Sequence, residues 1–193
     1  MKKSIVILSA AALSVCAIIV ACNGKGSSET KTAITQDSLI KRGDYLVSTM
    51  GCDDCHSPKA FGPDGVHIIP EQRLSGHQAN VQLGPIDTSV MSKGWVMMSM
   101  IGNAAVGPWG ISYAANITSD STGIGMWSEE QFFRAMRKGL YKGIEGNRPL
   151  MPPMPWEVYG KMTDDDLRAV FAYLKSTKPV KNPVPAWRPL DKL

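Results

Sequence analysis

The sequence predicts an all-α fold, because its clearest patterns are three helical ones and the long segment between the first two lacks periodicity. Helices are expected at residues 37–50, 128–139 and 163–178, each with apolar side chains at helical spacing. Residues 36–180 are expected to form one domain, which is within the usual size range. Residues 59–108 are rich in Gly, Pro and Met and are expected to form a long irregular insertion.

The first predicted helix carries a glycine at its centre. Its apolar positions are Leu39, Ile40, Leu46 and Val47. Gly43 costs about 1 kcal/mol relative to alanine in a helix interior. Its presence indicates either a close crossing with another helix or a tolerated weakness.

Two cysteines and a histidine follow this helix in the pattern C-x-x-C-H, at Cys52, Cys55 and His56. This spacing is typical of haem c attachment. Each thiol can add to one haem vinyl group as a thioether, and the adjacent imidazole is then placed to bind the iron. Because the motif occurs once, one covalently bound haem c per chain is predicted.

Two other kinds of site use a C-x-x-C pair. A thiol-disulfide oxidoreductase would need free thiols of low pKa at Cys52 or Cys55. A zinc site would need a fourth ligand, for which His67 and His77 are candidates, but no second C-x-x-C or C-x-x-H pair exists. Haem attachment is therefore the favoured interpretation.

Capping patterns locate the other two helices. Ser128 and Gln131 have the spacing of a capping box, and Gly139 is a typical C-terminal residue. Thr163 and Asp166 repeat the box at the last helix. That helix has an apolar stripe, which predicts a core face and consists of Leu167, Val170, Phe171 and Leu174.

Residues 1–21 are expected to be a lipoprotein signal peptide, since two lysines precede an apolar run that is too short for a confident transmembrane helix. The end of the run resembles a bacterial lipobox, in which Cys22 becomes the lipid-modified first residue of the mature protein. An ordinary signal cleaved near Cys22 would instead leave a free thiol there. Cys16 fits the lipobox less well, because the preceding Val15 is large for that position.

These features predict a periplasmic protein that is anchored to a bacterial membrane through its N-terminal lipid. Residues 22–35 are polar and are expected to form a flexible tether, and residues 181–193 a C-terminal tail. The formal net charge of +4 falls to +2 when Lys2 and Lys3 leave with the signal. A nearly neutral chain gives no support to nucleic-acid binding.

The helices and the C-x-x-C-H motif together resemble class I mono-haem c-type cytochromes. Gly43 and Tyr45 before the motif, and residues 167–174 in the last helix, are similar to the terminal helices of that family. The resemblance implies a class I cytochrome c fold in which these helices cross at Gly43, with Tyr173 against the glycine.

The resemblance also implies that a downstream methionine is the second iron ligand, and the chain has eleven methionines. Met154 is favoured, because Pro153 and Pro155 hold its backbone extended. The stretch after Met154 is similar to cytochrome c domains of membrane-bound alcohol and sugar-acid dehydrogenases. Met151 is the second choice, and the methionines of residues 91–100 or a histidine are further alternatives.

The similarity extends over most of residues 40–180. Three side chains in it are candidates for haem contact, although packing is the favoured interpretation of each: Trp109, Asn116 and Trp127. The insertion at residues 59–108 departs from a minimal cytochrome. It is expected either to cover the haem edge or to form a partner surface.

A His and Met pair would occupy both axial positions of the iron, so the sequence predicts an electron carrier, not an enzyme. The resemblance implies redox protein partners: a dehydrogenase or quinol-oxidising complex as donor, and an oxidase or another cytochrome as acceptor. The chain could itself be a subunit of such a complex. A haem peroxidase, or a gas or redox sensor with a labile sixth ligand, is the alternative.

Overall fold

A computed structural model describes residues 35–192. The predicted signal peptide, Cys22 and nearly all of the predicted tether lie outside the described residues. The described helices are α1 (Gln36–Thr49), α2 (Cys52–His56), α3 (Glu129–Lys138), α4 (Trp156–Tyr159) and α5 (Asp164–Ser176). The described strands are β1 (Lys59–Gly62), β2 (Gly65–Ile68), β3 (Met97–Met98), β4 (Ala104–Gly107) and β5 (Gly110–Tyr113).

The three predicted long helices are confirmed, and their caps explain where they begin. The Ser128 hydroxyl accepts a hydrogen bond from the Gln131 backbone N–H at 3.1 Å, and Thr163 accepts one from Asp166 at 3.1 Å. The reciprocal half of each capping box is replaced by another bond, because the Gln131 side chain donates to the Lys142 carbonyl and the Asp166 carboxylate pairs with Arg42.

Helices α1 and α5 pack directly against each other, as the resemblance implied. A Cβ atom at Gly43 would overlap the Ala169 carbonyl oxygen and lie 2.6 Å from the Cβ atom of Tyr173. Glycine is therefore required at this contact. The core of the described region is built mainly around these helices and consists of Leu46, Val47, Leu74, Ile124, Phe132, Leu167, Ala169, Val170 and Leu174.

The expectation of an all-α fold is not confirmed, because the chain also forms two antiparallel sheets. Strands β1 and β2 make a hairpin, and β3, β4 and β5 make a three-stranded sheet. The β4–β5 turn has two residues between Gly107 and Gly110, and Gly110 has a φ of +93°. The strands are only two to four residues long, and such short strands give little alternation by which a sequence could reveal them.

Long-range contacts hold the insertion at residues 59–108, although its sequence is aperiodic. The Lys59 ammonium donates to the carbonyls of Asp54 at 2.5 Å and Ile101 at 2.9 Å. The buried Asn182 side chain donates to the carbonyls of Ser75 and His77. The insertion is thus fastened both to α2 and to the C-terminal tail.

None of the helices within residues 35–192 has the length and apolar character required to cross a membrane.

Candidate functional site

The site begins at α2, a short helix that contains the whole C-x-x-C-H motif. Gly51 precedes it in the left-handed conformation, with φ of +76°, and lets the chain turn sharply from α1 into α2. Cys52 and Cys55 are half-buried and both are free thiols. One turn of helix therefore presents two thiols and the His56 imidazole from the same short segment.

A single backbone carbonyl orients the half-buried His56 ring. Its Nδ1 atom lies 2.7 Å from the Ala115 carbonyl oxygen, which can only accept, so Nδ1 carries the proton. Burial lowers the pKa of His56, which favours the neutral ring. The Nε2 lone pair is then available for a metal, in the arrangement that protein metal sites use to fix the ring and raise its basicity.

The environment of the thiols does not favour a thiol-disulfide oxidoreductase. Burial, and then the charge of Asp53, raise the pKa of Cys52 to about 11. Burial also raises the pKa of Cys55. Reactive exchange thiols need a lowered pKa, because the thiolate is the nucleophile.

The zinc alternative has no support within residues 35–192, where no group of three or more His, Cys, Asp or Glu side chains is placed to hold a metal ion. His67 lies on the exposed hairpin strand β2. His77 is buried, and its two ring nitrogens lie 3.2 Å from the Asn103 amide oxygen and 3.1 Å from the Val81 carbonyl. Both histidines are therefore separate from the two cysteines.

An ion pair lies directly behind the motif. The buried Asp53 carboxylate accepts bonds of 2.7 to 3.2 Å from the Arg73 guanidinium and one of 2.6 Å from the Ser57 hydroxyl. Arg73 also donates to the Tyr173 hydroxyl at 2.5 Å and to Ser48 at 3.1 Å. This network joins α2 to both terminal helices. Sequence analysis missed it, because nothing in the spacing of these residues pairs them.

The favoured methionine lies in a segment that we call the methionine loop, residues 148–155. Four of its eight residues are prolines. Met154 and Met151 are both half-buried, and the Met154 backbone N–H donates to the Met151 carbonyl at 3.3 Å. An open cavity of about 440 Å³ is lined by Met154, Trp156 and the loop prolines, and Met151 is not part of its wall.

Tyr159 connects the methionine loop to the motif. Its hydroxyl donates to the Met50 carbonyl at 2.7 Å, at the end of α1. Burial and the neighbouring thiols of Cys52 and Cys55 raise its pKa. Helix α4, which begins two residues after Met154, is therefore held beside the first residues of α2.

Three side chains that the sequence offered as haem contacts have partners within the protein. The buried Asn116 amide donates to Thr122 at 3.0 Å and to the Val180 carbonyl at 2.8 Å. Trp127 packs against the core, and the Trp109 indole donates to Ser112 at 3.1 Å. These contacts agree with the favoured interpretation of packing.

The donor set of α2 fits haem c. Two free thiols are spaced for thioether bonds, and one imidazole nitrogen is left with an available lone pair by the bond to Ala115. The methionine loop offers thioether sulfurs, the kind of second ligand that accompanies histidine in electron-carrying cytochromes. The sequence could not have shown the Ala115 bond, since any residue can supply a backbone carbonyl.

Comparison with known proteins finds cytochrome subunits of dehydrogenases among the relatives of this chain. The chain is 42% identical to a subunit of the nicotinate dehydrogenase of Pseudomonas putida over 77% of its length. It is 30% identical to the fructose dehydrogenase cytochrome subunit of Gluconobacter japonicus over 92%, and 30% identical to the gluconate 2-dehydrogenase cytochrome c subunit of Pantoea cypripedii over 71%. No family model matches the chain.

These relatives are much longer proteins. The chain spans 9% of the nicotinate dehydrogenase subunit, 30% of the fructose dehydrogenase subunit and 23% of the gluconate dehydrogenase subunit. The similarity to cytochrome c subunits of dehydrogenases therefore supports a cytochrome c domain, and it covers a part of each relative.

Proposed function

We propose that this chain is a mono-haem c-type cytochrome that carries single electrons from a dehydrogenase or quinol-oxidising complex to an oxidase or another cytochrome. The observation that carries the proposal is the placement of His56. Its Nδ1 proton is held by the Ala115 carbonyl, and the two free thiols of Cys52 and Cys55 lie on the same helix. The similarity to dehydrogenase cytochrome subunits supports the same function.

Each residue of the site has a proposed role. Cys52 and Cys55 hold haem c covalently, His56 is the proximal iron ligand, and Met154 is the distal one, with Met151 as second choice. Haem c supplies a one-electron couple between ferric and ferrous iron. Ala115 fixes the His56 ring, and a half-buried methionine sulfur favours the ferrous form, which raises the reduction potential relative to two nitrogen ligands.

The proposed setting is the periplasm, with the protein anchored to a membrane through lipid on Cys22. The lysines, apolar run and lipobox-like end of the N-terminus support this location. Three relatives are named as subunits of nicotinate, fructose and gluconate dehydrogenases, which supports a dehydrogenase as the electron donor. Because the chain matches only a part of each relative, its electron donor is proposed by class, as a dehydrogenase.

The function is tested by spectra of protein that has been matured in a bacterial periplasm. We expect a positive pyridine test for one covalent haem c, a low-spin spectrum, and a methionine-sulfur band in the oxidised form. Met154→Ala should abolish that band, and Met151→Ala should retain it. Both variants keep the prolines of the methionine loop, so they are matched to each other.

Three results would contradict the proposal or part of it. Absence of covalent haem would exclude a c-type cytochrome. A high-spin spectrum with rapid binding of carbon monoxide to the reduced protein would favour the peroxidase or sensor alternative. Loss of the sulfur band in Met151→Ala alone would transfer the ligand role to Met151 and leave the electron-carrier function in place.

A further inference from the structure

The C-terminal tail, of which the structure describes residues 181–192, returns to the edge of the three-stranded sheet. Arg188 exchanges two backbone hydrogen bonds, of 2.7 and 3.1 Å, with Ile111 of strand β5. The Trp187 indole donates to the Trp109 carbonyl at 2.7 Å. A Cβ atom at Gly110 would overlap the Arg188 carbonyl oxygen, so glycine permits this close approach.

The β4–β5 turn and strand β5, which contact the tail, also hold the methionine loop. The Trp109 indole donates to the Ser112 hydroxyl at 3.1 Å, and that hydroxyl donates to the Pro152 carbonyl at 2.5 Å. Ser112 is buried. A short chain of hydrogen bonds thus runs from Trp187 through the turn to the residue two positions before Met154.

A second contact runs from the tail to the start of the methionine loop. The Arg148 guanidinium lies 3.8 Å from the centre of the Tyr141 ring and 5.7 Å from that of the Trp187 ring. Both distances are within the range of cation–π attraction, which is stronger where the cation is partly desolvated. Burial lowers the pKa of Arg148, in agreement with partial desolvation of its charge.

The methionine loop depends on such external contacts because of its composition. Prolines lack a backbone N–H, so four of the eight residues cannot donate to any internal structure. On the side of α3, the loop is held by a bond of 2.6 Å from the Leu150 N–H to the Gly139 carbonyl. The contacts to Ser112 and Trp187 also hold it.

We propose that the C-terminal tail positions the methionine loop for iron ligation, with Trp187 and Ser112 as positioning residues. This inference rests on the proposed function, since it concerns the sixth ligand of a haem. When the tail is detached, the loop gains freedom, the methionine sulfur leaves the iron more often, and small ligands compete with it more successfully.

The test is a titration of the oxidised, haem-loaded protein with imidazole, together with the sulfur band and the midpoint potential. Trp187→Ala and Ser112→Ala should each tighten apparent imidazole binding by up to about tenfold, since the net contribution of one hydrogen bond corresponds to roughly that factor in an equilibrium. The potential should fall in both variants. Trp187→Phe keeps an aromatic ring for Arg148 but loses the N–H donor, so its effect should be smaller.

Two control variants separate positioning from general loss of stability. Trp95→Ala changes an exposed tryptophan that belongs to the insertion and not to the tail. Thr163→Ala removes the N-cap of α5. Both should leave imidazole affinity, band and potential unchanged. If Trp187→Ala does not accumulate, Trp187→Phe and Ser112→Ala still decide the question.

The inference and the proposed function fail in different ways. Wild-type imidazole affinity and an intact sulfur band in both Trp187→Phe and Ser112→Ala would overturn the positioning role of the tail. If the pyridine test were positive in that case, the proposed cytochrome function would still stand. A negative pyridine test would overturn the cytochrome itself. The titration reports on the methionine loop whether Met154 or Met151 is the ligand, so an error in that choice does not affect it.

Discussion

At the scale of single residues, Arg73 compensates a carboxylate that is buried inside the C-x-x-C-H motif. The Asp53 side chain is 13% exposed and that of Arg73 is 31% exposed. Burial alone would raise the pKa of Asp53, but the hydrogen bonds from Arg73 and Ser57 and the charge of Arg73 hold it below its ordinary value. The Asp53 carboxylate therefore stays charged mainly because of Arg73, while Ser57 and the charge of Lys59 also favour it.

Replacement of that partner, as Arg73→Met, should destabilise the protein by about 3 kcal/mol at neutral pH, because it leaves a buried carboxylate without its counter-charge. The measurement is urea unfolding of the haem-loaded protein. The double variant Arg73→Met with Asp53→Asn is the matched control and should recover much of the loss. Equal stability of wild type and Arg73→Met would show that the ion pair contributes nothing.

The pH dependence of this effect has a defined sign. The pKa of Asp53 is lower in the folded protein than in the unfolded chain. The ionised Asp53 carboxylate therefore stabilises the folded protein fully above its ordinary pKa of about 3.9, and this contribution is lost as the pH falls through the pKa of the folded state. In Arg73→Met, burial should raise the pKa of Asp53. Acid would then protonate the Asp53 carboxylate and remove the energetic cost of burying its charge. The stability difference between the two proteins should therefore shrink as the pH falls from neutral towards 4.

Residue types explain which parts of the site could be predicted. Cys52, Cys55 and His56 stand out in the sequence because haem attachment uses these side chains at a fixed local spacing. The partner of His56 is the Ala115 carbonyl, which carries no side-chain signature. Arg73, the partner of Asp53, lies twenty residues away along the chain. An ion pair at that separation produces no pattern by which the sequence alone could reveal it.

At the scale of secondary structure elements, the contact between α1 and α5 should be the most sensitive to added volume. Gly43→Ala should destabilise the protein by about 3 kcal/mol or prevent folding, because the new methyl group would meet the backbone of Ala169, which cannot move aside as a flexible side chain can. Thermal unfolding measures the effect. A melting temperature like that of wild type would mean that the two helices can separate without loss.

The matched control is Gly84→Ala. A Cβ atom at Gly84 meets nothing within 4 Å, so the change should have little effect on stability. If both alanine variants lost the same stability, the cost at Gly43 would come from the glycine replacement as such and not from the helix contact.

The helices were predictable and the strands were not, for a physical reason that these elements illustrate. Thr163 and Ser128 cap their helices with side chains that bond three residues ahead, so the information is local. Strand β5 is paired with β4, but it is also held by the tail at Arg188, nearly eighty residues later. Pairing at that separation is determined by tertiary structure and is not visible in a local pattern.

At the scale of the whole molecule, the C-terminal tail connects parts that lie far apart in the sequence. Asn182 bonds to the insertion at Ser75 and His77, and Trp187 and Arg188 bond to the turn and strand that hold the methionine loop. The sequence predicts that residues 181–193 form a C-terminal tail. Within the described region, Asn182, Trp187 and Arg188 of this tail are hydrogen-bonded to the rest of the fold.

The proposed membrane anchor also concerns the whole chain, since it determines where the electron carrier can meet its partners. If Cys22 carries lipid, Cys22→Ala should move the haem-containing protein from the membrane fraction to the soluble periplasm, because each buried methylene of an acyl chain contributes about 0.8 kcal/mol to membrane binding. Cys16→Ala is the matched control. It should leave the distribution unchanged, since Cys16 is expected to leave with the signal peptide.

Haem staining of both fractions measures this distribution and also shows that each variant has been exported and loaded with haem. Retention of Cys22→Ala in the membrane fraction would contradict lipid anchoring. It would indicate that the protein is held at the membrane by protein partners. Release of Cys16→Ala alone would transfer the lipid to Cys16. In either case the haem site would be unaffected, because the C-x-x-C-H helix and the methionine loop belong to residues 35–192 and make their contacts there.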